Sequence, residues 1–490
     1  MRILALVALL LLPAALRADD DPATGLADDL TKLLDVFKIL DEQAADPVSP
    51  DQALYQGAIP GMLRTLDPHS IFFDPDQFLQ LQQMQRSETK GFGTIVSINP
   101  GQVTILQTME GSPSAKSGLS AGDELLAINN IPLGRLMPDQ LVQLLTQARQ
   151  QAAVLDVRKP GNVRAFRLTL SPELIDAPSV DRAFQIQPDI GYLRIKSFEE
   201  PTGKLVKTTI ENLGGEKLKG LVIDMRANPG GAVQAALEVA SLFLEPGQTV
   251  FTVRARTEQK QEARVPALSK PYTFPVAILM DEMSASAAEI LAGALQDHDR
   301  ATILGTPSYG KGIVQNVFSL SGNTGLALTI AFYYTPSGRS LQKPLESGSL
   351  NVAAKATPGI FHTDAGREVR GGGGIQPDIA IQSPQVSRLV YVLTVSGALT
   401  AFAGEYVQAH DIRDDFDVTP DLLDQLKVYL SARQIQPGVA EWLRDRDLIQ
   451  SKLKQEIVNL KFGVERGDQI EMQRDPVVLR AIQTLSVPLR

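Results

Sequence analysis

The chain contains no cysteine and only four histidines. The first absence removes disulfides, thiolate metal sites, a lipid-attachment thiol and a cysteine nucleophile. The histidines, His69, His298, His362 and His410, are scattered, and none stands at i, i+4 or beside another metal-type ligand. A zinc site is therefore not expected, and no metal or organic cofactor is called for. His298 follows Asp297 at the end of a helical run, where a histidine reads as a surface cap. A basic block is missing too: 47 Lys and Arg stand against 56 Asp and Glu, for a net charge of −9. That balance argues against nucleic acid or an anionic membrane as a non-specific partner, since both need a positive surface that releases counterions. No internal repeat is visible, and no segment has the roughly 20 apolar residues a membrane span requires.

What is present is apolar residues, 43% of 490, enough to build roughly two to four domains. Residues 1–18 carry Arg2, an apolar run over 3–12, Pro13 and small residues ending at Ala18, before the acidic Asp19-Asp20-Asp21. This pattern is a secretory signal. Cleavage after Ala18 leaves Leu16 where a small residue is usual, so cleavage after Ala15 is the alternative. Either cut predicts an exported mature chain with no integral membrane segment. Export without disulfides fits a bacterial periplasm, with secretion as the alternative.

Residues 19–87 show helical periodicity at Leu26, Leu30, Leu33, Leu34 and Phe37, followed by the turn Asp67-Pro68-His69-Ser70. Residues 88–172 change character: apolar strands at 103–106, 125–128 and 154–157 surround one helical run at 137–150, which predicts a small β-rich module. Over 173–384 strands and helices alternate, which predicts an α/β core. Its expected strands are 191–195, 221–225, 276–280 and 326–334, with helices at 202–213, 232–244 and 287–296. Residues 344–374 read as an irregular insertion ending in four glycines. Helical periodicity returns over 385–490, around the lone Trp442.

Several motif matches are decoys. Gly118-Leu119-Ser120-Ala121-Gly122 has the nucleophile-elbow spelling but precedes a strand, so it is a turn. Ser87/Lys90 and Ser340/Lys343 have Ser-x-x-Lys spacing without the companion motifs that chemistry requires. Ser286 is different. It follows a buried-type strand and the turn 281–285 and opens an apolar-periodic helix, which puts its hydroxyl at the positive end of the dipole. The N–H of Ala287 can then donate to a developing oxyanion. A bare helix cap would look the same. In a second loop, Asn228-Pro229-Gly230-Gly231, the glycines allow close approach of the main chain and offer a further N–H; a plain strand-to-helix turn is the alternative. Lys311, between Gly310 and Gly312, could serve as a base only if burial lowers its pKa from about 10.4 toward neutrality. Gln315, four residues on, could accept a hydrogen bond from that amine and orient it.

Together, Asn228 to Gly231, Ser284-Ala285-Ser286-Ala287-Ala288-Glu289 and Tyr309-Gly310-Lys311-Gly312-Ile313-Val314-Gln315 resemble the motifs of the carboxyl-terminal processing, or tail-specific, proteases. The resemblance implies Ser286 as nucleophile and Lys311, 25 residues later, as general base. It implies Gln315 as the residue positioning that lysine, and Ala287 with Gly230 or Gly231 as oxyanion donors. Asp67-Pro68-His69-Ser70 resembles the family's N-terminal signature. Gly91-Phe92-Gly93-Thr94 resembles the carboxylate-binding loop of a PDZ domain, and Gly111-Ser112-Pro113, Ser117-Gly118-Leu119 and Gly122-Asp123 extend that pattern. The implied fold is a multidomain α/β (α+β) protein. It has a crotonase/ClpP-like peptidase core, an inserted or preceding PDZ domain, and helical N- and C-terminal regions. The implied partners are protein or peptide substrates with free apolar C-termini, an adaptor protein, and further copies of the chain. The alternatives on the same fold are a non-catalytic PDZ scaffold and a ligand-binding protein.

Overall fold

The computed structural model describes residues 22–85, 88–99, 102–256, 260–344, 359–382 and 386–486. The expected signal segment, Ser87 and residues 345–358 of the 344–374 insertion lie outside them.

The core is built on a sheet ordered Val180–Gln187, Ile190–Ile195, Gly220–Asp224, Val276–Met280, Ala301–Gly305, Ile379–Ala380. All neighbours after the first pair are parallel. The sequences explain this: Gly-Leu-Val-Ile-Asp, Val-Ala-Ile-Leu-Met and Ala-Thr-Ile-Leu-Gly are buried at every position, as strands covered on both faces must be. One face is packed by Thr202–Leu213, Val233–Ala240 and Ala287–Asp297. The other is covered from far away in the chain, by Met472 and the helix Pro476–Leu485, whose Val477, Val478, Ala481 and Ile482 meet Val222, Ala277, Leu279 and Leu304.

A second sheet joins Ile71–Phe73 to Gly325–Tyr334, and that strand to Thr249–Ala255 and Ile313–Ser319. The region before residue 88 is therefore not only helical: after the helices Pro22–Gln43 and Ile59–Arg64 it gives a three-residue strand to the core. Three residues are too few to show a period of two. The β-rich module, with strands Thr94–Asn99, Gln102–Thr108, Glu124–Ile128, Ala153–Arg158 and Ala165–Leu170 and the helix Pro138–Ala148, is thereby inserted into the core rather than preceding it. Its entry and exit segments, Glu88–Gly91 and Glu173–Asp176, pair antiparallel with each other. Gly118 to Gly122 forms a turn capped by the buried Asp123, which accepts from Ser120 N–H.

The C-terminal helices Arg388–Val395, Ala398–Ala409, Pro420–Ala432 and Val439–Phe462 gather around Trp442 in a separate apolar cluster. Among the described residues no single helix is long and apolar enough to cross a membrane. A surface cap does not describe His298: its side chain is 8% exposed, with Nε2 2.8 Å from the Thr249 carbonyl oxygen and Nδ1 2.7 Å from Asp364. The hairpin Ile360–His362 and Glu368–Arg370, with Asp364 between its strands, covers the helix end and takes the ring out of water.

Candidate active site

The three loops singled out in the sequence all leave the same end of the parallel sheet, and hydrogen bonds lace them together. Ala227 N–H donates to Asp281 Oδ1 at 2.9 Å, Ala285 N–H to the Asn228 carbonyl at 2.9 Å, and the Ser284 hydroxyl to the Met225 carbonyl at 2.8 Å. Tyr309 N–H donates to the Ser284 carbonyl at 2.9 Å, which attaches the lysine loop to the serine loop.

Ser286 has φ 54° and ψ −115°, a conformation that costs a non-glycine residue about 1–3 kcal/mol and persists only where its surroundings enforce it. Its hydroxyl makes no capping bond to the helix it precedes. Two buried side chains hold the strained backbone. Glu289 Oε2 accepts from Ser286 N–H and from Lys311 N–H, both at 2.9 Å. Glu289 Oε1 accepts from Gly310 N–H at 2.8 Å and from the Ser308 hydroxyl at 2.5 Å. Burial pushes this carboxyl above the ordinary glutamate range, and the four donors oppose that rise. On the other side the Tyr333 phenol donates to the Lys311 carbonyl and lies 3.2 Å from the Ser286 carbonyl oxygen. Burial drives this phenol well above its usual pKa, so it remains a donor. One carboxylate and one phenol thus grip the main chain of residues 286 and 311 together.

The Lys311 amine donates to Gln315 Oε1 at 2.6 Å, and Gln315 Nε2 donates to the His69 carbonyl at 2.6 Å. The strand Ile313–Ser319 slips register between Val314 and Gln315, a bulge that re-aims the side chain. The His69 carbonyl is set by the Asp67 turn, in which Asp67 accepts from His69 N–H, Ser70 N–H and the Ser70 hydroxyl. Burial lowers the pKa of the Lys311 amine, with Asp67 and Glu289 pulling the other way. Burial and the nearby Lys311 charge likewise lower the His69 imidazole. Among the described residues no hydrogen bond joins Lys311 Nζ to the Ser286 hydroxyl.

Gly230 lies directly against the serine: a methyl on its Cα would sit 2.8 Å from Ser286 Cβ and 2.9 Å from Ala287 N. Its own N–H is engaged by Asn228 Oδ1 at 2.8 Å. Gly231 pairs with Phe198 in a parallel bridge through its neighbours' groups, Gly230 C=O and Ala232 N–H, so its own N–H points away from Phe198. Among the described residues, the N–H groups of Gly231 and Ala287 have no hydrogen-bond acceptor.

Gly91, Phe92, Gly93 and Thr94 are not at this site. They line a groove of about 240 Å³ in the inserted module, walled by Val96, Ile98, Met109, Val142, Leu145 and Ile175. Phe92 and Gly93 carbonyls accept from Ser114 and Met109 N–H, while their own N–H groups have no acceptor among the described residues. Ile175 comes from the exit strand, so the connection to the core forms part of the groove wall.

Sequence reasoning passed over Glu289 as a hub and Tyr333, and it gave the turn at Asp67 no role beside the lysine. Glu289 stands three residues after Ser286, the capping-box spacing that could have revealed it. Asp67 followed by Ser70 has the spelling of an Asx turn. Tyr333 carries no local signal, since its role exists only across the second sheet.

The core and the inserted module each match the model of a known protein family. The model for peptidase family S41 matches residues 189–348, and the PDZ domain model matches residues 104–159. A carboxy-terminal-processing protease of Bartonella bacilliformis is 34% identical over 319 residues, covering 64% of this chain and 72% of the relative. A carboxyl-terminal-processing protease of Synechocystis sp. is 33% identical, covering 58% of this chain and 68% of the relative. Among solved structures, a putative S41 protease from Bacteroides fragilis is 14% identical at a TM-score of 0.43, covering 75% of this chain and 93% of that one. The chain belongs to the carboxyl-terminal-processing proteases of peptidase family S41.

Proposed function

We propose that this protein is a serine endopeptidase in which Ser286 is the nucleophile, Lys311 the general base, and the PDZ groove the receptor for a substrate's C-terminal tail. The observation that carries this reading is the state of Lys311. Its amine is desolvated, which favours the neutral form, and its bond to Gln315 fixes the nitrogen so that the lone pair is directed elsewhere. Neutral Lys311 takes the Ser286 proton as the hydroxyl oxygen attacks the peptide carbonyl. The tetrahedral oxyanion is met by the N–H groups of Ala287 and Gly231. Gly230 N–H can join them only by releasing Asn228 Oδ1. Protonated Lys311 gives its proton to the leaving amine; neutral again, Lys311 deprotonates the water that attacks the acyl-enzyme and returns that proton to Ser286 as the acyl group leaves.

The free N–H groups of Phe92 and Gly93 suit a terminal carboxylate, and the apolar wall suits the last side chains of an unfolded tail. We assign the mature chain to an exported compartment on the signal pattern of residues 1–18; a separate adaptor and self-association are compatible with this reading. The test is cleavage of an unfolded protein by Ser286→Ala and Lys311→Ala. Each should lose turnover while keeping its circular dichroism spectrum. Parental turnover by either variant rejects the assignment.

A further inference from the structure

Residues 385–490 show no sequence motif, yet their last helix reaches the loop that bears the oxyanion glycines. The strand Gly220–Asp224 runs into Met225, Arg226, Ala227 and then Asn228. Asp224, 2% exposed, accepts from the Tyr192 phenol at 2.9 Å and from Arg226 Nη2 at 2.6 Å. The remaining arm of the guanidinium, Nη1, donates to Asp475 Oδ2 at 2.7 Å. The other oxygen of Asp475 caps Pro476–Leu485, accepting from Val477 and Val478 N–H at 2.8 and 3.0 Å. The helix is pressed so closely on the sheet that a methyl on Gly220 would sit 2.9 Å from Leu485 Cδ1.

We propose that Asp475 is a positioning residue for the oxyanion turn, holding Arg226 and through it the approach to Asn228–Gly231. The inference rests on the peptidase reading above. A planar guanidinium gripped from both ends fixes its own backbone more tightly than a surface pair can. Two residues further on, Asn228 is fully buried, its Nδ2 donating to the Ile195 carbonyl at 2.7 Å. A turn pinned at Arg226 and at Asn228 leaves Ala227, at φ 56°, no freedom to relax. Releasing one pin moves the N–H groups that face the reacting carbonyl. The helix Pro476–Leu485 is therefore part of the catalytic scaffold through the contact of Asp475 with Arg226.

The experiment is steady-state cleavage of an unstructured polypeptide by the full-length protein carrying Asp475→Asn, Arg226→Gln or both. Asparagine is as good a helix cap as aspartate, so the helix survives while the ion pair is lost. The expected result for each single variant is a kcat lower by about 10- to 100-fold, with KM within about twofold; Asp475→Asn should keep its thermal midpoint, whereas Arg226→Gln, which leaves buried Asp224 without its guanidinium, should lower it. The double variant should be no slower than the worse single one, because both act through one contact. Asp475→Glu, which keeps the charge, should recover most of the loss. Parental kcat in Asp475→Asn, additive losses, or a loss in Asp475→Asn that tracks falling stability overturns the proposal. Ser286→Ala is measured alongside: if it still turns over, the peptidase reading has failed, whereas a dead Ser286→Ala beside a fully active Asp475→Asn rejects only the role of Asp475.

Discussion

Replacing Glu289 by glutamine and by leucine separates a positioning carboxylate from an ordinary buried acid. Its Oε1 serves the Ser308 hydroxyl and Gly310 N–H, and its Oε2 serves the N–H groups of Ser286 and Lys311. Glutamine offers one carbonyl oxygen, and its NH2 must face one of those pairs. Turned toward Ser286 and Lys311, it opposes two buried N–H groups, at about 1–3 kcal/mol each. Turned toward Ser308 and Gly310, it strands only the Gly310 N–H, because the hydroxyl can rotate and accept. The second orientation wins. Glu289→Gln should therefore lose about 1–3 kcal/mol of stability in urea unfolding and keep kcat within about tenfold, the factor that 1.4 kcal/mol represents. Leucine leaves three N–H groups without an acceptor, about 3–9 kcal/mol against a total of about 5–15 kcal/mol for a typical domain. Glu289→Leu should be unfolded, or folded with no measurable peptide turnover. A leucine variant as stable and active as the parent refutes the reasoning. So does a glutamine variant that is stable but inactive.

Burial depresses the Lys311 pKa below its ordinary value, so kcat/KM should rise as pH climbs through that value and the amine becomes neutral. Asp67→Asn, which removes a charge that favours the protonated amine, should move this limb to lower pH; an unmoved profile counts against Lys311 as the base. A depressed lysine penalises folding wherever the unfolded lysine is protonated. Lys311→Met should accordingly unfold at no lower a temperature than the parent at pH 7, and any advantage should vanish above pH of about 10.4. Gly230→Ala places a methyl 2.7 Å from the Ala285 carbonyl oxygen at φ 95°. Overpacking and backbone strain there should reduce kcat by about 100-fold or more, measured on a variant with native circular dichroism; parental kcat would show that the turn does not need to approach Ser286. Amidating a substrate's C-terminus should raise KM by about tenfold or more through loss of charge-assisted hydrogen bonds in the PDZ groove, and equal KM values would remove the carboxylate from the recognition model.

The parallel core was readable because its strands are short continuous apolar runs between turn residues, as at 276–280, and their boundaries differ from expectation by at most one residue; the helix expected over 232–244 ends earlier, at Ala240. The antiparallel pieces were harder. The burial of Ile313–Ser319 and Thr249–Ala255 does not alternate regularly along the strand, so no clean period marks them. Ser286, Lys311 and Gln315 stood out as a candidate set through their resemblance to the family's motifs, although Ser286 alone reads as a cap and Lys311 alone as a surface residue. What no spacing could reveal was the convergence on Lys311. The His69 carbonyl reaches Gln315 from 246 positions away, and Tyr333 reaches the Lys311 carbonyl across the strand pair Ile313–Ser319 and Gly325–Tyr334. Contacts of that range are fixed by how layers pack, which a local pattern does not encode.

The ribbon formed by Glu88–Gly91 and Glu173–Asp176 bears on how this protein could be re-engineered. A module hung on a single linker can be exchanged at one splice, and its partner's reach then depends on linker length. Here two chain crossings are paired residue by residue, from Glu88 opposite Asp176 to Gly91 opposite Glu173. A one-residue slip in such a pair turns every side chain to the opposite face, including Ile175, which belongs to the groove wall. A transplanted PDZ module must therefore arrive as a register-matched double splice. The groove wall and the attachment share Ile175, so they are inherited together.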